Sequence, residues 1–296
     1  MKPLLYDRYY PEKVDGASPG NMLRGLNKDE KLELLNILLN MQAKLGIVRP
    51  SLLYIDSRSI FNIFIDNENI KYLGTVNGWW RGERIWINSI IRVDEEAIIE
   101  LLIDRLMLDK LPKGYEYIIS LPGPYTYLTY SVGENLLKAI SKIFNTVIKV
   151  LEDENIRNLV LIEPNIQFTG GYELDLVRKI YASIDWGEVN RLTYIYPIYP
   201  YNKLKILYRL LKDGFLIPLE YLSFEIVESL GLSRILIPIL NPYYDASLTY
   251  NSKISRILFG IDEQEIYLTT LYPVTYLQVN MLNRVLILLS RYCEEK

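Results

Sequence analysis

Three acidic side chains stand where apolar runs stop: Asp56 closes SLLYID, Glu163 closes NLVLIE and Glu220 closes FLIPLE. A carboxylate at the end of a buried strand can move a proton, orient a ligand or accept hydrogen bonds from the next loop. The remaining inventory is restricted, because the sequence has no His and its single Cys is Cys293. Histidine bases, Ser-His-Asp triads, Cys-His dyads, Cys/His zinc sites and an internal disulfide are therefore excluded within this chain. Chemistry must rest on carboxylates, Lys, Arg, Tyr, Ser or Thr, the backbone or a bound cofactor. Two further groups could bind a ligand. Trp79, Trp80, Arg81 and Arg84 set aromatic faces beside guanidinium groups, and Tyr194, Tyr196 and Tyr199 crowd LTYIYPIYP.

Each has a plainer alternative. Asp56 has the position of a turn or helix cap, Glu163 that of a carboxylate bonded to the adjacent loop backbone, and Glu220 that of a structural acid. One Trp of WWRGER can fill a seam while the Arg side chains stay solvated. The tyrosines can line a small cavity or simply fill it. Tyr243, Tyr244 and Asp245 in NPYYDAS have hydrogen-bonding capacity in a loop of no assigned role.

The element expected to position these groups is YIISLPGPYTYLTYS, Tyr117 to Ser131. Pro122, Gly123 and Pro124 stop an apolar strand at a stiff turn, since Pro fixes φ and donates no N–H. The pattern predicts that the turn feeds directly into a long helix. Ser131 and Glu134 have capping-box spacing, and Leu136, Leu137, Ile140, Phe144, Val147, Ile148 and Leu151 form its stripe. Upstream, Asn27 and Glu30 have the spacing of a cap pair for a helix stopping near Gly46. Ser59 to Val93 reads as an antiparallel excursion of alternating strands around polar turns. Strand and helix patterns then alternate to the C-terminus, with a helix from Asp94 to about Leu108 first. Leu4, Leu53, Ile118, Val160, Thr193, Leu216, Leu236 and Tyr267 lie in eight predicted strands. Most are continuously apolar, as parallel strands covered on both faces are. The expected fold is an α/β, (β/α)8 TIM-type barrel, one domain over 1–296 with an excursion at 59–93. An open doubly wound sheet is the competitor, without a GxGxxG or Walker-type loop to support it.

Half of the 296 residues are hydrophobic and the net charge is −3. No basic stripe suits nucleic acid. No apolar run reaches the roughly 18 to 20 residues of a membrane span, and MKPLLYDRYYPEK is not a secretory signal. A soluble, cytoplasmic protein is expected. Its 25 Tyr, with abundant Ile and Leu, give a bias seen in proteins from hot environments.

With LPGPYTYLTYS and LIEPNIQF both at strand ends, the sequence resembles the cobalamin-independent methionine synthase family. Gly123, Pro124, Tyr125 and Thr126 match its GP(V/Y)T-type motif, and Ile162, Glu163, Pro164 and Asn165 match its (I/V)DEPAL-type strand end about forty residues later. The similarity covers about Asp94 to Tyr292. It implies a (β/α)8 barrel of the type shared with uroporphyrinogen decarboxylase, in which zinc activates the homocysteine thiol to accept a methyl group from methyltetrahydrofolate. The family's ligands are a His-x-Cys pair, a Glu one strand later and a Cys near the last strand. Here Tyr194 and Tyr196 lie near the His-x-Cys positions, LTTLYPVTYL has no Cys, and Glu220 is the match for the Glu.

The resemblance therefore implies the metal-free barrel of the long family forms, made as a separate chain: no bound cofactor or metal, a methyltetrahydrofolate-type ligand, and a catalytic zinc-bearing barrel as partner. On that reading Trp79, Trp80, Arg81 and Arg84 could stack a pterin and pair with its glutamate tail. The competing expectation is an independent metal-free enzyme, with Glu163 as acid or base on a small acid or a corrinoid- or tetrapyrrole-type substrate.

Overall fold

Asn27 opens the first long helix, α1 (Lys28–Lys44), with a complete capping box. Its side chain accepts from the N–H groups of Asp29 and Glu30, and Glu30 returns a bond to the Asn27 N–H at 2.8 Å. Leu35, Leu38 and Leu39 are buried on one face, and the helix ends at Leu45, beside the predicted stop at Gly46. The computed structural model describes residues 2–3, 27–45, 70–77, 83–90, 108–129, 135–163, 171–194, 214–216, 234–240 and 265–270, with positions 96, 99, 103, 166, 206, 207, 211, 284, 285, 287 and 288.

Seven parallel strands form one sheet: β1 (Lys2–Pro3), β4 (Ile118–Pro122), β5 (Asn158–Ile162), β6 (Asn190–Tyr194), β7 (Gly214–Leu216), β8 (Arg234–Leu240) and β9 (Glu265–Thr270). From β4 to β9 each strand pairs with the next in sequence, and β1 then pairs with β9. Leu159, Val160 and Leu161 are all fully buried, as expected for a strand covered on both faces. β2 (Ile70–Asn77) and β3 (Glu83–Ile90) form a separate antiparallel pair, which realises part of the predicted excursion. The rest of that excursion, the predicted strands at Leu4 to Tyr6 and SLLYID, and most of the helix from Asp94 lie outside the described residues. Among the described residues no helix is long and apolar enough to cross a membrane.

One local expectation is corrected. The turn after β4 does not feed straight into the long helix: a six-residue helix, α2 (Pro124–Thr129), comes first, and α3 begins only at Leu136 (Leu136–Asp153). Pro124 occupies the first helical position, where its fixed φ is preset and its missing N–H costs nothing. Asn135, the residue before α3, takes a left-handed φ of 58° without a side-chain cap. Asn tolerates that region better than most residues. Asn135 is thus the N-cap of α3, and the predicted capping box, Ser131 and Glu134, lies outside the described residues.

The predicted stripe of α3 is buried except for Leu137, which is half-buried: Ile140, Phe144 and Val147 are completely enclosed. Each such side chain contributes roughly 1.5–3 kcal/mol through burial. The helix closes in a Schellman motif, with Asn155 left-handed at φ 57°, its N–H on the Glu152 carbonyl and the Ile156 N–H on that of Leu151. Helix α4 (Gly171–Ala182) follows β5. The loop after it returns to α3: the Asp185 N–H meets Asn145 Oδ1 at 2.9 Å, and the Glu188 N–H meets Glu152 Oε1 at 2.8 Å.

Gly187 in this loop has φ +51°, and a Cβ there would overlap the Glu152 carboxylate. Gly187→Ala is expected to lower stability by about 1–2 kcal/mol, from left-handed strain and displacement of Glu152. Urea denaturation of the purified variant checks this; an unchanged midpoint would show that the loop gives way without loss.

Candidate functional site at the strand ends

The register between β4 and β5 builds the site. Pro122 lies opposite Ile162, so the next residues of the two chains, Gly123 and Glu163, meet just beyond the sheet. Glu163 is fully buried. Its Oε1 accepts from the Tyr125 N–H at 2.9 Å and the Tyr181 hydroxyl at 2.8 Å. Its Oε2 accepts from the Thr126 N–H at 2.7 Å and the Thr126 hydroxyl at 2.5 Å. Two of these donors are orphan N–H groups in the first turn of α2, which the carboxylate caps from the neighbouring strand. Gly123 is needed for the approach, because a Cβ there would overlap the Glu163 carboxyl group.

Tyr181 reaches Glu163 from α4 and is itself held. Its ring stacks on Trp186 with centroids 5.6 Å apart, and Trp186 Nε1 donates to the Tyr181 carbonyl at 3.1 Å. The Arg191 guanidinium lies 4.2 Å from the Trp186 ring centroid and donates to the Leu211 carbonyl at 3.2 Å. Such a cation over an aromatic face contributes about 0.5–1 kcal/mol or more. The order of the strand-end turn thus extends through Tyr181 to the start of β6.

Burial pushes the Glu163 carboxyl up to about 7, although the bonds from Thr126, Tyr181 and the two backbone N–H groups pull it down. The Tyr125 phenol is raised to about 12, first by burial and then by the charges of Glu173 and Glu163. Tyr125 and Thr126 are buried as well. As built, the cluster fixes the shape of the strand ends, and Glu163 has no exposed surface through which to meet a solute.

Of the residues singled out from sequence, Gly123, Pro124, Tyr125, Thr126 and Glu163 come together here. Tyr194 ends β6 opposite Ile162, so Pro122, Ile162 and Tyr194 sit at one level across three strands. Arg84 pairs with Val76 in the antiparallel β2–β3 unit. Asp56, Trp79, Trp80, Arg81, Tyr196 and Glu220 lie outside the described residues, as do Tyr199 and NPYYDAS. The sequence does not single out Tyr181, which lies on the helix after β5 with Val177 and Ile180, both buried. A phenol among aliphatic positions was the available signal, since a buried Tyr hydroxyl needs a partner.

The zinc centre of the family that the sequence resembles does not fit the donors on this face. Both oxygens of Glu163 are already saturated by protein donors, Thr126 and Tyr181 present hydroxyls, and the chain has no His and only Cys293. Zinc sites are built mainly from imidazole and thiolate ligands. Among the described residues no group of three or more His, Cys, Asp and Glu could hold a metal ion.

No family model and no curated protein sequence matches the chain. Solved structures do. A B12-independent methionine synthase from Shewanella sp. W3-18-1, in complex with selenomethionine, superposes with a TM-score of 0.63 at 15% identity, covering 100% of this chain and 97% of that one. A putative vitamin-B12 independent methionine synthase from Listeria monocytogenes gives 0.69 at 12% identity, covering 100% and 98%. A methyltransferase from Methanosarcina mazei gives 0.60 at 11%, covering 100% and 94%. At these identities the likeness is one of fold.

Proposed function

We propose that this chain is a methionine synthase-type barrel that works without a zinc centre of its own, binding a folate-type or sulfur amino-acid ligand and serving a zinc-bearing catalytic barrel. One observation carries the reading: the chain shares its fold with a B12-independent methionine synthase and a putative one over nearly their whole length, while its sequence has no His. The fold arrived without the donors of the chemistry. The sequential parallel order, with β1 on β9, supports the closed-barrel reading. The ligand face on this reading comprises Tyr194, Tyr196, Asp56 and Glu220, with the buried turn of Gly123 to Thr126 as its support and Trp79, Trp80, Arg81 and Arg84 taking the pterin and its glutamyl tail. The selenomethionine of the Shewanella structure makes methionine and homocysteine the amino acids to test.

Thermal shift and calorimetry with methyltetrahydrofolate, its polyglutamates, homocysteine, methionine and zinc are the direct test, since a ligand of the folded state raises stability. Binding of a folate or sulfur amino acid is expected, without tight stoichiometric zinc. Arg84→Ala should weaken a polyglutamate by about 1.5–3 kcal/mol, the range for a charged hydrogen bond, and a monoglutamate much less. Addition to a zinc-bearing homologous barrel should form a complex and raise its rate; stoichiometric zinc uptake, or no ligand and no complex, would sink the proposal. A second reading, an independent metal-free enzyme using Glu163 on a small acid or tetrapyrrole-type substrate, draws on the near-neutral titration of Glu163. It requires a substrate to reach a carboxyl that protein groups enclose.

A further inference from the structure

Glu163 is a carboxylate closed off from water, and every group that bonds it in the described structure is neutral. Among the described residues the titratable and charged groups around it are few. From α2 there is the phenol of Tyr125, and from α4 the phenol of Tyr181 and the carboxylate of Glu173, which acts with Glu163 to raise Tyr125. From β6 there is Arg191, whose guanidinium is 6.0 Å from the Tyr181 ring centroid and engaged with Trp186 and the Leu211 carbonyl. Among the described residues no Lys or Arg bonds the carboxylate. A buried charge held only by dipoles favours any rearrangement that lets water reach it.

One element is placed to rearrange. Helix α2 has only six residues, and two of the four bonds to Glu163 come from its first N–H groups. It packs on α3 and α4 and is preceded by Gly123, where backbone freedom is greatest. The neutral carboxyl can remain in place, because the Thr126 and Tyr181 hydroxyls can accept its proton as readily as they donate, while the other oxygen keeps a backbone N–H.

We propose that Glu163 is a proton-operated latch on α2: the neutral carboxyl keeps α2 seated over the ends of β4 and β5, and ionisation loosens it. Order at this face then falls as pH rises, whatever ligand the face takes. Burial, which lifts the carboxyl to about 7, places the change close to neutrality.

The test uses the full chain and amide exchange of Tyr125 and Thr126 by NMR, corrected for intrinsic exchange, from about pH 5.5 to about 8.5. Protection should fall by up to about tenfold per pH unit as pH rises towards the folded-state value and level off above it, because the open state holds an ordinary carboxylate that is already charged. The infrared carbonyl stretch of a buried protonated carboxyl should vanish over the same range. Glu163→Gln should make protection independent of pH. Tyr181→Phe, which removes a donor favouring the charged form, should move both midpoints upward, and this arm stands even if the Gln variant does not fold. Protection that stays level across the range, or an infrared midpoint near the ordinary carboxyl value of about 4.3, overturns the latch.

Discussion

Glu163→Ala is expected to lower stability by about 3–5 kcal/mol at pH 5, the largest effect of any single substitution argued here. The variant leaves two backbone N–H groups and the Thr126 and Tyr181 hydroxyls without their shared acceptor. Each buried polar group so orphaned costs about 1–3 kcal/mol, and the losses are not additive because one entering water can serve several. The effect has a pH signature. The folded carboxyl titrates above its unfolded value, up to about 7 because burial penalises the charge. Its stabilising contribution is therefore fully present below the unfolded value of about 4.3 and is lost as pH rises through about 7. The gap between wild type and variant should be widest near pH 4–5 and narrow towards pH 8. Denaturant titrations at these pH values check it. A gap that widens with pH would mean that the charged form is the favoured one.

Gly123→Ala comes next, at about 2–4 kcal/mol. The added methyl group overlaps the carboxyl of Glu163, which four bonds hold in place. Either the backbone after β4 shifts, at the roughly 1–3 kcal/mol typical of overpacking, or the carboxyl leaves part of its donor set. The pairing makes a sharp control, because residues in contact couple. In a Glu163→Ala background the same Gly123→Ala substitution should cost less than about 1 kcal/mol. Equal costs in both backgrounds would place the strain elsewhere.

The parts of this molecule that were legible in the sequence are those that local chemistry decides. The Asn27–Glu30 capping box, the apolar stripe of α3, and the strands holding Ile118, Val160, Thr193, Leu216, Leu236 and Tyr267 were read from spacing alone, as was the parallel α/β plan. The motif GPYT and Glu163 were matched as a pair, and the chain does bring them together. Short-range competition was harder to read. Ser131 and Glu134 have capping-box spacing, yet a separate helix begins upstream at Pro124 under the Glu163 cap, and Asn135 is the N-cap of α3. A cap supplied by a residue 37 positions away leaves no trace in a local pattern. Tyr181 was invisible for the same reason: its helix position marked it as core, and only the folded chain shows what its hydroxyl meets.

The pairing of β1 with β9 bears on how the sheet assembles. Lys2 and Pro3 lie beside Tyr267 and Leu268, so this join spans almost the whole sequence, whereas β4, β5 and β6 each meet a near neighbour. Closing a longer loop costs more chain entropy, and pairings remote in sequence form late. Among the described residues the register of β1 is two residues long, and one of them is a proline without an N–H. Assembly is thus polarised: the block from β4 to β6, which carries Glu163 and its donors, can acquire its order first, and the seam between the first and last strands is the join that depends on all the others.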